Sequence, residues 1–254
     1  MELLEIKSLS LNFGGIIALN DVGLTVKSGE LHAVIGPNGA GKTSLFNCLS
    51  GVYTPTQGDI ILEGRSILRL RPHQIAKLGI ARTFQNIELF ANMSVIDNLL
   101  LGRHVHMRSG ALTGAFFYGN ALREEIDNRL KVEEVIDFLE IEKVRKALVG
   151  TLPYGIQKRV ELGRALSMDP RILLLDEPVA GMNVEETEDI ARFVLDINEE
   201  LGITIIMVEH DMGVVMDIAD NITVLDFGSK IAGGTPKEVQ SNPKVVEAYL
   251  GEAE

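Results

Sequence analysis

The sequence predicts an α/β fold: a parallel sheet carrying a phosphate-cradling loop, interrupted by a helical insertion. Three observations predict it. Gly36-Pro37-Asn38-Gly39-Ala40-Gly41-Lys42-Thr43 fits G-x-x-x-x-G-K-[ST]. It lies between an apolar run (Leu31, Ala33, Val34, Ile35) and a helical start from Ser44, the context this motif needs. Short continuous apolar runs at 172–175, 203–208 and 222–225 alternate with a helical stretch, as expected of parallel strands covered on both faces. From about 89 to 162 strand character is lost.

In chain order, residues 3–35 alternate apolar runs with turns at Phe13-Gly14-Gly15 and Lys27-Ser28-Gly29, which reads as strands. A turn at 54–58 precedes a strand at 59–62, and Glu63-Gly64 turns again. Residues 72–78 read as a short helix closed by Gly79. Arg82-Thr83-Phe84-Gln85 follows a possible strand. Residues 93–101 read as helical. Residues 103–120 mix basic residues, glycines and the cluster Phe116-Phe117-Tyr118. From 122, the apolar positions Leu122, Ile126, Leu130, Val135, Ile136 and Leu139 follow a helical period. Ile190, Phe193, Val194, Ile197 and Leu201 line a second helical face. Thr235-Pro236-Lys237-Glu238 opens a last helix, with a capping residue and Pro at the first helical position.

The 254 residues suffice for one domain with an inserted subdomain. A net charge of −12 argues against nonspecific binding to nucleic acid or to an anionic membrane surface. The one cysteine, Cys48, excludes an internal disulfide and fits a reducing compartment. No apolar run approaches a membrane span, and residues 1–10 do not read as a signal peptide. The expectation is a soluble cytoplasmic chain that reaches a membrane only through a partner.

The residue types dictate a chemistry. Glycines let successive N–H groups point inward at an anion, and the helix N-terminus adds free donors and a positive dipole end. Lys42 places a charge at β- and γ-phosphates, and Thr43 a hydroxyl on Mg²⁺. Asp176-Glu177-Pro178 follows the 172–175 run. Asp176 is expected to reach Mg²⁺ through water, and Glu177 to deprotonate an attacking water. His210, after the 203–208 run, is expected to touch the γ-phosphate and position that water. Gln85 is a further ligand for Mg²⁺ or the water. Ligands on such sheets sit beyond the carboxyl ends of the strands.

Taken together, residues 36–43, Gln85, 152–157, Asp176-Glu177-Pro178 and His210 resemble the ATP-binding subunit of an ABC transporter, over nearly the whole chain. The resemblance implies a RecA-like P-loop core with an antiparallel β subdomain (1–88 and 163–254) and a helical subdomain (89–162) that ends in the signature. It implies ATP and Mg²⁺, bound by Gly36, Pro37, Asn38, Gly39, Ala40, Gly41, Lys42, Thr43 and Ser44, with Phe13 stacked on adenine. It also implies a head-to-tail dimer with a second ATPase subunit or a second copy. The signature Leu152, Pro153, Tyr154, Gly155, Ile156 and Gln157 then completes the opposite site in trans. Leu152-Pro153-Tyr154-Gly155, Ala180-Gly181-Met182-Asn183, Glu209-His210-Asp211-Met212 and the ending Ala248-Tyr249-Leu250-Gly251-Glu252 resemble the larger ATPase subunit of branched-chain amino acid importers. That group pairs two ATPase subunits with two permeases and an external binding protein, peripheral on the inner membrane face.

The chain departs from the general family at Pro153, where Ser is usual, and at Tyr154, Ile156 and Asn183. Urea and short-amide importers share the pattern. A lipid or polysaccharide exporter ATPase and a soluble non-transport ABC ATPase are the alternatives. A nucleotide sensor without turnover is disfavoured by the intact Lys42, Asp176, Glu177 and His210, and a GTPase by the lack of Asn-Lys-x-Asp.

Overall fold

Two sheets form, each as its side-chain pattern requires. A computed structural model describes residues 2–85, 87–106 and 120–250. Strands β1 (Glu2–Phe13), β2 (Ile16–Lys27), β4 (Gln57–Leu62) and β5 (Arg65–Ser66) make an antiparallel sheet in the order β2-β1-β4-β5. Buried and exposed positions mix along β1 and β2, because one face is packed and the other is open. In the second sheet β3 (Leu31–Ile35), β7 (Ile172–Asp176) and β8 (Thr204–Val208) are buried at every position. With β6 (Ile80–Arg82), β9 (Asn221–Asp226) and β10 (Ser229–Gly234) they run in the order β10-β9-β3-β8-β7-β6. All are parallel except the edge strand β10.

Each face of this sheet has its own core. Val34, Leu174, Ile206 and Leu225 pack with β1, β2 and the helix α1 (Lys42–Leu49). Ala33, Leu173, Leu175 and Met207 pack on the other face with α3 (Val95–Gly102), α4 (Asn120–Phe138), α5 (Tyr154–Leu166) and α6 (Val184–Glu199). Alternation of side chains along a strand is what divides the two cores. The sheet is therefore sandwiched between the β sheet on one side and helices including α3 to α6 on the other. Helix α5 runs as one piece from residue 154 to 166, so it carries the chain from the insertion onto the sheet.

The structure corrects two sequence expectations. Val132, Ile136 and Leu139 are buried, but Leu122, Ile126 and Leu130 are exposed. Steps of four drift by roughly 40° on a helix, so Leu130 faces about 160° away from Val132. The polar Asn128 sits buried on the packed side instead. Leu201 does not share the face of α6: the helix stops at Glu199, Gly202 turns the chain at φ +65°, and Leu201 is 49% exposed. Helix α1 also begins at Lys42, two residues earlier than expected. Of the expected segment 103–120, the cluster Phe116-Phe117-Tyr118 lies outside the described residues, as do Gly251 and Glu252. Among the described residues the remaining α-helices are α2 (Pro72–Lys77), α7 (Met212–Ile218), α8 (Pro236–Gln240) and α9 (Pro243–Leu250).

Candidate functional site

The phosphate loop links β3 to α1, and two of its glycines are required by the space around them. Gly36 has φ +149°, and a Cβ there would lie 2.0 Å from the Leu225 carbonyl oxygen. Gly41 has φ +102°, and its Cβ would meet the Ala18 carbonyl oxygen at 2.5 Å. Gly41 caps α1 without any side-chain hydrogen bond, and a helix start of this kind suits an anion. Lys42 is buried, and Nζ donates to the carbonyls of Gly36 at 2.6 Å and Pro37 at 2.8 Å. Thr43 and the neighbouring Asn38 and Gly39 are exposed, while Pro37 and Ala40 are buried and Ser44 is half-buried.

Parallel pairing sets the rest of the site. With neighbours in the order β3, β8, β7, β6, the loops that follow these strands emerge side by side. The phosphate loop follows β3, Glu209-His210 follows β8, Asp176-Glu177 closes β7, and Gln85 follows β6. Two side chains converge on Glu177. Gln85 Nε2 donates to its Oε2 at 2.7 Å. His210 Nε2 lies 2.8 Å from its Oε1, and donates there when that nitrogen carries the proton. Glu177 itself sits at φ +50°, left-handed for a non-glycine, with its N–H bonded to the Val208 carbonyl.

Residues that the sequence reading passed over hold this arrangement. Glu209 is buried, and its carboxylate accepts from the N–H groups of Val179 at 3.1 Å and His210 at 2.8 Å. It thereby ties the loops of Glu177 and His210 together. Lys158 and Glu161 on α5 are 4% and 2% exposed. Lys158 Nζ donates to the Gln85 carbonyl at 3.1 Å and pairs with Glu161 at 3.3 Å, and Glu161 accepts from the Phe84 N–H at 3.4 Å. Burial raises the Glu161 pKa, against the opposing pull of Lys158. Arg82 pairs with Asp176 at 2.6 Å. Only their charge marked these residues in the sequence; their partners lie 1 to 94 positions away.

Phe13 ends β1, is 46% exposed, and meets Tyr53 edge-on at 5.1 Å between ring centroids. The signature opens α5: Pro153 is its N-cap, Tyr154 donates its hydroxyl to the Ala180 carbonyl at 3.1 Å, and Gln157 donates to Leu152 at 2.8 Å. Gly155 lies against Glu186, which a Cβ would approach to 2.9 Å. Leu152 and Ile156 are half-buried. Among the described residues, none of these hydrogen bonds reaches the phosphate loop.

The donor set suits Mg²⁺. No group of three His, Cys, Asp or Glu side chains gathers among the described residues, so there is no closed protein cage. Mg²⁺ is usually held by one or two carboxylates with phosphates and water. Asp176, Thr43 and Gln85 supply oxygen donors of that kind.

A phosphate loop beside carboxylate, amide and imidazole at adjoining strand ends defines a P-loop ATPase. The family profile "ABC transporter" matches residues 19–180, and the profile "Branched-chain amino acid ATP-binding cassette transporter" matches residues 229–254. The chain belongs to the ABC transporter family, as one of its ATP-binding, ATP-hydrolysing subunits. It is 42% identical over 251 residues to the high-affinity branched-chain amino acid transport ATP-binding protein BraF of Pseudomonas aeruginosa, covering 99% of this chain and 98% of that one. The ADP conformation of MJ1267, an ATP-binding cassette of an ABC transporter, superposes with a TM-score of 0.86 at 33% identity over 99% of each chain. The dimeric cassette MJ0796, in a post-hydrolysis state with ADP and Pi, gives 0.76 at 25% identity, over 92% of this chain and 99% of that one.

Proposed function

We propose that this chain hydrolyses ATP to drive import of branched-chain amino acids. It would sit in a head-to-tail dimer with a second ATPase subunit or a second copy, on the inner membrane face below two permeases fed by an external binding protein. The observation that carries the hydrolytic reading is the convergence of Gln85 and His210 on the two oxygens of Glu177, at 2.7 and 2.8 Å. The name of the Pseudomonas relative and the match at residues 229–254 support the substrate class. The dimeric form of MJ0796 supports the paired assembly, and the signature's lack of contact with its own phosphate loop suits action in trans. Among the described residues no helix is long and apolar enough to cross a membrane, so the transport path falls to other chains.

In this reading Glu177 takes the proton of the attacking water while Gln85 and His210 hold that water in line. Lys42 exchanges the carbonyls of Gly36 and Pro37 for phosphate oxygens. Residues 36–44 bind the phosphates, and Phe13 stacks on adenine beside Tyr53. Asp176, Thr43 and Gln85 would hold Mg²⁺, which neutralises charge developing on the phosphates. The division into core (1–88 and 163–254) and helical subdomain (89–162) places the signature where the insertion returns to the sheet.

Glu177→Gln tests the base. ATP affinity should be kept, and turnover should fall by about 100-fold or more. Hydrolysis by the variant at the parent's rate rejects Glu177 as the base. Purification of the complex from membranes should bring down two permeases and a second ATPase subunit; ribosomes instead of permeases would overturn the importer reading.

A further inference from the structure

Arg82 closes β6 three residues before Gln85, and its side chain is only 9% exposed. Nη2 donates to Oδ2 of Asp176 at 2.6 Å. Nη1 donates to Asn47 Oδ1 at 2.7 Å and Ser50 Oγ at 3.2 Å, at the C-terminal end of α1. The rings of Phe46 and Phe84 flank the guanidinium, with centroids 5.7 and 5.2 Å from its carbon. Its Nε is buried without a partner. An apolar side chain of similar volume would fill this space without stranding a donor. The charge and the fork are therefore what the position uses.

The contacts join two elements. Asp176 closes β7, and α1 carries Thr43 in its first turn and Asn47 and Ser50 at its end. Asp176 and Thr43, two of the three residues assigned to Mg²⁺ at the phosphates, thus stand on elements bridged by one side chain. Arg82 engages Oδ2, while Oδ1 makes none of the hydrogen bonds found among the described residues. The neighbouring pair repeats the pattern one step on: Arg82 reaches across to Asp176, and Gln85 reaches across to Glu177. These cross-ties hold the ends of two adjacent parallel strands, in which Arg82 is in register with Leu174.

We propose that Arg82 is a positioning residue for the metal site: it holds Oδ2 of Asp176 against the end of α1 and so aims Oδ1 at the Mg²⁺ that Asp176 and Thr43 would share. The inference rests on the reading of Asp176 as a carboxylate that holds Mg²⁺ through water. Partners that orient the groups around a metal are typically worth about 10–100-fold in metal affinity. A lysine keeps the charge but lacks the planar fork, so it cannot hold the carboxylate and α1 together.

The test measures Mn²⁺, a spectroscopic stand-in for Mg²⁺, bound to the full chain with ADP. Loss of the free-ion magnetic resonance signal gives the Mn²⁺ dissociation constant for the parent, Arg82→Met, Arg82→Lys and Asp176→Asn. ADP affinity in chelator is measured beside it. Arg82→Met should weaken Mn²⁺ at least about tenfold and Arg82→Lys by less, with metal-free ADP affinity within about twofold of the parent. Arg82→Lys decides the matter if Arg82→Met does not fold. Mn²⁺ affinity within twofold of the parent in a folded Arg82 variant, alongside a loss in Asp176→Asn, overturns the positioning role alone. An unchanged Asp176→Asn overturns the metal reading and the inference with it. Equal losses of Mn²⁺ and metal-free ADP affinity would show Arg82 to be a packing residue only.

Discussion

Cys48 sits on α1, in the core shared with β1 and β2, 3% exposed, and burial pushes its thiol pKa up to about 12. The thiolate is the reactive form, so at neutral pH almost none is present. Thiol reagents should label the folded chain far more slowly than the unfolded one, and ATP should slow labelling further by stabilising the fold. Fast labelling that ATP leaves unchanged would show Cys48 to be accessible. Glu161 is held by a different balance: burial raises its pKa, and Lys158 pulls it down. Lys158→Met leaves a buried carboxylate unpaired, expected to cost about 3–5 kcal/mol at pH 7. The sign follows from linkage. With its partner gone, Glu161 has a folded pKa still further above its unfolded one, so its contribution is fully present below about 4.5 and is lost as pH rises through the folded value. Urea titrations at pH 4.5 and 7 should therefore show a smaller deficit at the lower pH. A deficit independent of pH would assign the loss to packing.

Among elements, the start of α5 is the clearest departure from the family. Pro153 caps the helix, where its missing N–H breaks no helical bond, yet it offers no hydroxyl. Pro153→Ser would gain a capping acceptor worth about 1 kcal/mol, and would lose about 0.4–1 kcal/mol through the freer unfolded chain. Stability should stay within about 1 kcal/mol of the parent. Turnover at the site this signature would complete in the proposed dimer should rise, because a donor to the transition-state charge would return; such donors are worth roughly 2–4 kcal/mol. Single-turnover hydrolysis in the assembled complex reads this directly, and a rate unchanged or lower would remove Pro153 as the cause of a weak site. The parallel strands β3, β7, β8 and β9 were legible as separate apolar runs and β6 as a possible strand, and the polar residues after β3, β8, β7 and β6 were legible too. Their lateral order was not, because a run of Leu and Ile says that a strand is covered on both faces without naming its neighbours.

For the whole molecule, the intact phosphate loop and the altered signature predict inequality when this chain pairs with a different ATPase subunit. In the proposed dimer the site built on this chain's Lys42 would be completed by the partner's signature, and residues 152–157 would complete the other. Placing the Glu→Gln change in one subunit at a time, Glu177→Gln here should reduce transport-coupled turnover more than the same change in the partner. A larger loss from the partner's change would show the asymmetry to be reversed.

By itself the sequence determined the phosphate loop, the carboxylates, His210 and Gln85, since each sits at a fixed short offset from an apolar run and local chemistry is enough to mark it. It also determined the α/β class. Only the tertiary structure decided that Gln85 and His210 meet at Glu177, that Glu209 ties their loops, and that Arg82 and Lys158 hold strand and helix ends together. These contacts cross up to 94 positions of chain and depend on which strands lie side by side. The same reason explains α4. Helical periodicity reports an apolar stripe, but which stripe is buried depends on where α3 and α5 stand, and they cover Val132 and Ile136 while Leu122, Ile126 and Leu130 stay exposed.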